Sequence, residues 1–155
     1  MRRITVLVLL LSALPVASGV AKPHCTLRVH LAGKEEDGAV FSSQLQSPAT
    51  GKNVVIHKIP AISEHDVVAY SPYHAADGSC GALFQFDDHG RLVLDTLSVE
   101  QRGTYLYVFV NGRPVAELQI DRRITDGRLY LASGLTEKDL ALMQKDWPRI
   151  GQRKR

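Results

Sequence analysis

The residue pattern predicts an α+β fold, and three observations carry that prediction. Residues 104–110 form a β-branched and aromatic run, Asn111-Gly112 supplies two residues that tolerate positive φ, and 114–120 returns as a partner strand, which is the pattern of a β-hairpin. Residues 26–31 alternate Thr, Leu, Arg, Val, His, Leu, so Leu27, Val29 and Leu31 share one face of a strand. Two segments carry helix signals: Asp88 stands ahead of 91–97, and Thr136-Glu137-Lys138-Asp139 caps a stretch whose Leu140, Met143 and Trp147 lie close to helical spacing until Pro148 stops it.

Taken in order, the chain opens with Arg2 and Arg3 ahead of 4–14, an apolar run that Pro15 breaks before Ala17-Ser18-Gly19-Val20-Ala21. This is the pattern of a secretory signal peptide over residues 1–21, with small residues that allow cleavage after Gly19 or, the favoured site, after Ala21. The run is well short of the ~20 residues that a membrane-spanning helix needs. The expectation is therefore an exported chain, periplasmic or secreted, with no membrane span. Cys25 follows Lys22-Pro23-His24 and so does not sit where lipoprotein acylation would require it.

After the alternating strand, residues 32–52 turn to Gly, Ser, Gln, Pro and charge, and read as a long loop. Residues 53–59 resume a β-rich run that Pro60 ends. Residues 63–66 lead into a short strand or irregular edge at 67–70, and a turn-rich segment follows through Asp77-Gly78. The run 82–86 is a strand whose blurred alternation predicts cover on both faces. Beyond the helix at 91–97, Ser98 with Gln101 has the spacing of a capping box for a further turn, closed by Gly103. Asp126-Gly127 makes a second reversal into a short strand at 128–132 that Gly134 ends. The expected division is one domain over 22–147 and a disordered basic tail over 148–155.

Charge argues against nucleic acid as a partner. The chain has 19 basic and 16 acidic residues, but the signal segment holds two of the basic ones and Arg149, Arg153, Lys154 and Arg155 crowd the end. The body between them is net acidic, so the basic balance belongs to the two ends rather than to a binding surface. The tail suits weak contact with an anionic surface, at about 1 kcal/mol per basic residue.

Cys25 and Cys80 are the two cysteines. In an oxidising compartment they permit one intramolecular disulfide, worth about 4 kcal/mol if unstrained, and two separate buried thiols fit the sequence equally well. His24, His30, His57, His65, His74 and His89 show no His-x-His or His-x-x-x-His spacing, and neither cysteine has a Cys or His at the short spacing usual for zinc. No metal, cofactor or catalytic residue is expected from this pattern. Gly78-Ser79-Cys80-Gly81-Ala82 approaches a nucleophile elbow, but Ala82 replaces the second glycine and the segment runs into a strand. The enzymatic alternative is a small secreted hydrolase using Cys80 with His65 or His74.

From residue 98 to 143 the pattern becomes more specific. Gly103, the hairpin Tyr107-Val108-Phe109-Val110-Asn111-Gly112-Arg113-Pro114-Val115, the stretch 120–127, and Leu131-Ala132-Ser133-Gly134-Leu135-Thr136-Glu137-Lys138-Asp139-Leu140 together resemble the periplasmic P1 head subdomain of SecD, a protein-export subunit. Upstream, Ile62-Ser63-Glu64-His65-Asp66-Val67 and residues 83–90 match its first strand and its β-to-α junction, so the resemblance covers about residues 60–147. It implies a small ferredoxin-like sandwich, mainly antiparallel sheet with two helices packed on one face. It further implies a non-enzymatic periplasmic binding or interaction module whose partner is an exported polypeptide or an envelope protein. The positions that match are apolar and turn positions, so no catalytic role comes with them. The surfaces such a module would offer are a sheet edge and the hairpin turn at Asn111 and Gly112.

Overall fold

The computed structural model describes residues 24–76 and 78–152. The expected signal segment 1–21, residues 22–23, Asp77 and residues 153–155 of the expected tail lie outside the described residues. The chain is a small α+β sandwich of antiparallel sheets, with three α-helices among the described residues.

Strand β1 (Leu27–Leu31) is the centre of a four-stranded sheet. On one side it pairs with β4 (Ile62–Ser63), on the other with β7 (Tyr105–Val110), which continues to β8 (Arg113–Gln119). Its alternation is read out directly, with Leu27 and Val29 fully buried and opposite Val110 and Val108. The β7–β8 turn is two residues, Asn111 at φ 51° and Gly112 at φ 75°, the primed geometry whose twist suits a hairpin.

A second sheet holds β5 (Val67–His74), β6 (Cys80–Phe86) and β9 (Arg128–Leu135), with β6 central. Ala82, Phe84 and Phe86 are buried on its inner face, whereas Leu83 and Gln85 are only half-buried. The strand is thus fully covered on one face only, and on the other Leu83 lines a cleft. Strand β5 runs four residues past the expected end, through Pro72 to His74, since pairing with β6 supplies the order that local composition withholds.

Residues 32–52 are not a loop throughout. They form a single-turn helix α1 (Gly38–Phe41) and strand β2 (Ser42–Gln46), which pairs in register with β3 (Asn53–His57) as a separate ribbon. Ser-Ser-Gln-Leu-Gln has no β signal of its own; the partner Val54-Val55-Ile56 provides it.

Helix α2 (Asp88–Glu100) is capped by Asp87, whose carboxylate accepts from the Gly90 amide at 2.9 Å, and it continues past the expected second start at Ser98. Ser98 caps nothing: it is buried inside the helix, donates to the Asp95 carbonyl and accepts from the Ile124 amide, pinning the 120–126 connection to α2. Strand β9 also passes through Gly134 instead of stopping there. A Cβ at Gly134 would lie 2.3 Å from the Val115 carbonyl oxygen, so only glycine lets the ends of β9 and β8 touch. Helix α3 (Glu137–Asp146) begins with the reciprocal Thr136/Asp139 cap. One apolar cluster joins the inner faces of both large sheets to Leu94 of α2 and to Leu140 and Met143 of α3, with Trp147 set edge-on against Phe84 and Tyr70.

Candidate functional site

The two large sheets each end in an edge strand, β8 in one and β9 in the other. These edges meet where Val115 touches Gly134 and where Arg113 donates to the Gly134 carbonyl at 3.1 Å. From there they diverge, and the 120–126 connection closes the far end. The result is a cleft of about 640 Å³ with Leu83, Leu106, Leu118, Ile120 and Ile124 on its apolar walls and Arg122, Arg128 and Tyr130 at its margins. Tyr130 is half-exposed and stacks edge-on with Tyr73, ring centres 6.4 Å apart, on the uncovered face of the β5–β6–β9 sheet. Arg123 is spoken for by a two-pronged ion pair with Asp95 at 2.6 and 2.9 Å.

The other edge of that sheet is β5, and part of it is already taken. Tyr70 donates its amide to the Pro148 carbonyl and accepts from the Ile150 amide, so residues 148–150, expected in the tail, lie parallel to β5 at that point.

The hairpin turn is exposed at Asn111 and Gly112, and the Asn111 side chain is engaged within the fold. The Asn111 side chain donates to Asp139 at 2.7 Å and accepts from the Thr26 amide at 3.1 Å. Asp139 is 5% exposed and also accepts from Thr136 and from Arg113 at 2.8 Å. Burial alone would raise its carboxyl, but the hydrogen bonds from Thr136 and Asn111 and the Arg113 charge outweigh burial and hold it below the usual carboxylate range. The turn is therefore a latch between the four-stranded sheet, the start of β1 and helix α3.

Cys25 and Cys80 are both free and buried. Burial, reinforced by the carboxylates of Asp139 and Asp146, pushes the Cys25 thiol up to about 12. Cys80 starts β6 and lies opposite His74 in the β5–β6 register. Its Sγ is 3.7 Å from His74 Nδ1 and donates to Glu137 Oε1 at 3.3 Å, and His74 Nδ1 is 3.3 Å from the same oxygen. Of the two histidines weighed as partners for Cys80, the fold brings up His74. His65 precedes β5, which at ~3.3 Å per residue puts the whole eight-residue strand between it and the Cys80 end. Burial and the Glu137 carboxylate raise the Cys80 thiol. A hydrolytic nucleophile needs the opposite shift, so this geometry gives the hydrolase alternative no support.

Sequence reasoning missed Glu137 as a partner of Cys80 and the β8–β9 cleft altogether. The only available signal for the first was strand register across the turn, and for the second the pairing order of the sheets.

No protein-family model matches the chain, and no curated protein matches its sequence. Among solved structures it is similar to SecDF. One, described as the structure and function of a membrane component SecDF that enhances protein export, superposes at a TM-score of 0.55 with 13% identity, over 81% of this chain and 64% of that one. Another, a crystal structure of SecDF in a super-membrane-facing form, gives a TM-score of 0.54 with 13% identity, over 80% of this chain and 19% of that one. This chain thus spans less than two-thirds of either, and the likeness at this identity is one of fold. Among the described residues, no helix is long and apolar enough to cross a membrane.

Proposed function

We propose that this chain is a non-enzymatic interaction module that works outside the cytoplasm and holds an extended segment of an exported polypeptide. The observation that carries the reading is the cleft between the β8 and β9 edges. An edge strand points unpaired amides and carbonyls outward, and a peptide laid along it gains backbone hydrogen bonds without any demand on its sequence. The half-buried Leu83 and Leu118 suit the alternate side chains of such a segment, and Tyr130 offers a rigid ring at the margin. A binder of many polypeptides needs this kind of site, generic in backbone, with apolar side chains set beside charged ones such as Asp121, Arg122 and Asp126. Two further lines support the reading: the fold is similar to part of SecDF, named as a component that enhances protein export, and residues 1–21 have the pattern of a cleaved signal.

The test is binding of a permanently unfolded, fluorescently labelled polypeptide to the purified protein at micromolar concentration. Saturable binding is expected, and Tyr130→Ala, at an exposed position, should weaken it about tenfold while leaving the fold intact. A wild-type protein that ignores unfolded polypeptide, or binding that Tyr130→Ala leaves unchanged, overturns the assignment to this cleft. Crosslinking in cells followed by capture of exported chains would then identify whether polypeptide or an envelope protein is the natural partner.

A further inference from the structure

The grouping of His74, Cys80 and Glu137 belongs to no part of the cleft and is independent of the polypeptide-binding reading. Three separate pieces of the chain build it. His74 is the last residue of β5 and Cys80 the first of β6, and the two are direct partners across the turn. Cys80 is at the same time the partner of Leu135 in β9, and Glu137 follows two residues later as the first residue of α3. Sheet pairing on both sides of Cys80 therefore sets the spacing of the three groups before any ligand arrives.

That spacing is informative. The three donor atoms lie 3.7 Å (S to N), 3.3 Å (S to O) and 3.3 Å (N to O) apart. Zinc at ~2.3 Å from sulfur, ~2.0 Å from nitrogen and ~2.1 Å from oxygen, in tetrahedral geometry, needs ligand-to-ligand edges of about 3.4–3.6 Å. The observed triangle matches such a face to within a few tenths of an ångström. We propose that His74, Cys80 and Glu137 form a zinc-binding site with three protein ligands and a fourth position for water.

The donor set favours that ion class. Imidazole with thiolate suits zinc and its neighbours and disfavours calcium and magnesium, which take oxygen ligands. Access and shielding are both present. Cys80 is 4% exposed, so its sulfur is protected, while the His74 and Glu137 side chains are 56% and 77% exposed and open to solvent beside a crevice of about 140 Å³. On binding, the Cys80 S–H bond breaks, its proton leaves to solvent, and Glu137 Oε1 exchanges the thiol hydrogen for the metal. A metal-bound Cys80 is unavailable for a disulfide with Cys25, so the two outcomes for this cysteine exclude each other.

Cobalt(II), which shares the geometry of zinc and reports thiolate ligation by an absorption band, is the probe. Titration of the reduced protein is expected to give one cobalt per chain with a thiolate-to-cobalt band, displaced by zinc. Cys80→Ser should remove the band, Cys25→Ala should leave it, and Glu137→Gln, at an exposed position that is safe for folding, should weaken binding at least tenfold. Melting temperature should also rise on adding zinc to the wild type and not to Cys80→Ser. No thiolate band up to millimolar cobalt, a band that survives Cys80→Ser, or one lost in Cys25→Ala overturns the proposal.

Discussion

Cys25 and Cys80 are hidden to nearly the same degree, 2% and 4% exposed, yet the groups around them are differently engaged. Around Cys25 the nearby polar groups already have partners: its own amide goes to Asp146 at 2.5 Å, Asn111 is held by Thr26 and Asp139, and Asp139 is saturated by Thr136 and Arg113. Around Cys80, an imidazole and a carboxylate converge on the sulfur from solvent-exposed side chains. One thiol lies beside a polar network whose members are bound to one another; the other has an imidazole and a carboxylate within reach of its sulfur. Burial alone therefore says little about what a cysteine does. The donors within reach decide it.

The largest test of this contrast is Gly81→Ala. A Cβ there would lie 2.1 Å from the Leu131 carbonyl oxygen and 2.6 Å from that of Ala132, both backbone atoms with no room to yield. Forcing β6 from β9 is expected to cost more than about 3 kcal/mol in urea unfolding. Thiol labelling below the transition then separates the two regions: Cys80 should become reactive first, and simultaneous labelling of Cys25 would show that they open as one unit.

Asp139→Ala acts on the other side. It removes the acceptor shared by Thr136, Asn111 and Arg113, uncaps α3 and releases the hairpin turn, for an expected loss of about 2–3 kcal/mol. If the loss is under about 0.5 kcal/mol by urea unfolding, the latch is ornamental and the contrast fails on the Cys25 side.

The smallest effect is in alkali. An unfolded thiol loses its proton near 9.0, whereas Cys25 in the fold keeps it to about 12. The stability tied to that proton is complete below pH 9 and is lost as the pH rises toward 12. Cys25→Ala should therefore show a shallower fall in melting temperature across that window than the wild type, and parallel curves would mean that the thiol is not sequestered as described.

Much of the fold was legible because it is written in neighbours along the chain. The alternation of Leu27, Val29 and Leu31, the Asn111-Gly112 turn and the Thr136/Asp139 cap are each decided within a few residues, where φ preference, periodicity and local hydrogen bonding act without help from elsewhere. Strand β2 was not legible, because Ser-Ser-Gln-Leu-Gln becomes a strand only by pairing with β3. Nor was the cap of α2 at Asp87, one residue before the equally suitable Asp88, since only the backbone angle at that junction separates them. The grouping of His74, Cys80 and Glu137 escaped a search for short ligand spacings for a related reason: its members are joined by strand register over two sheet partners rather than by sequence distance. The sequence by itself determined the class of fold, the hairpin and the start of α3, all short-range properties of the chain. Tertiary structure alone decided which edges face each other across the cleft and which donors meet at Cys80, because those depend on how strands far apart in sequence line up, and a shift of one residue in that register would turn the same side chains to opposite faces.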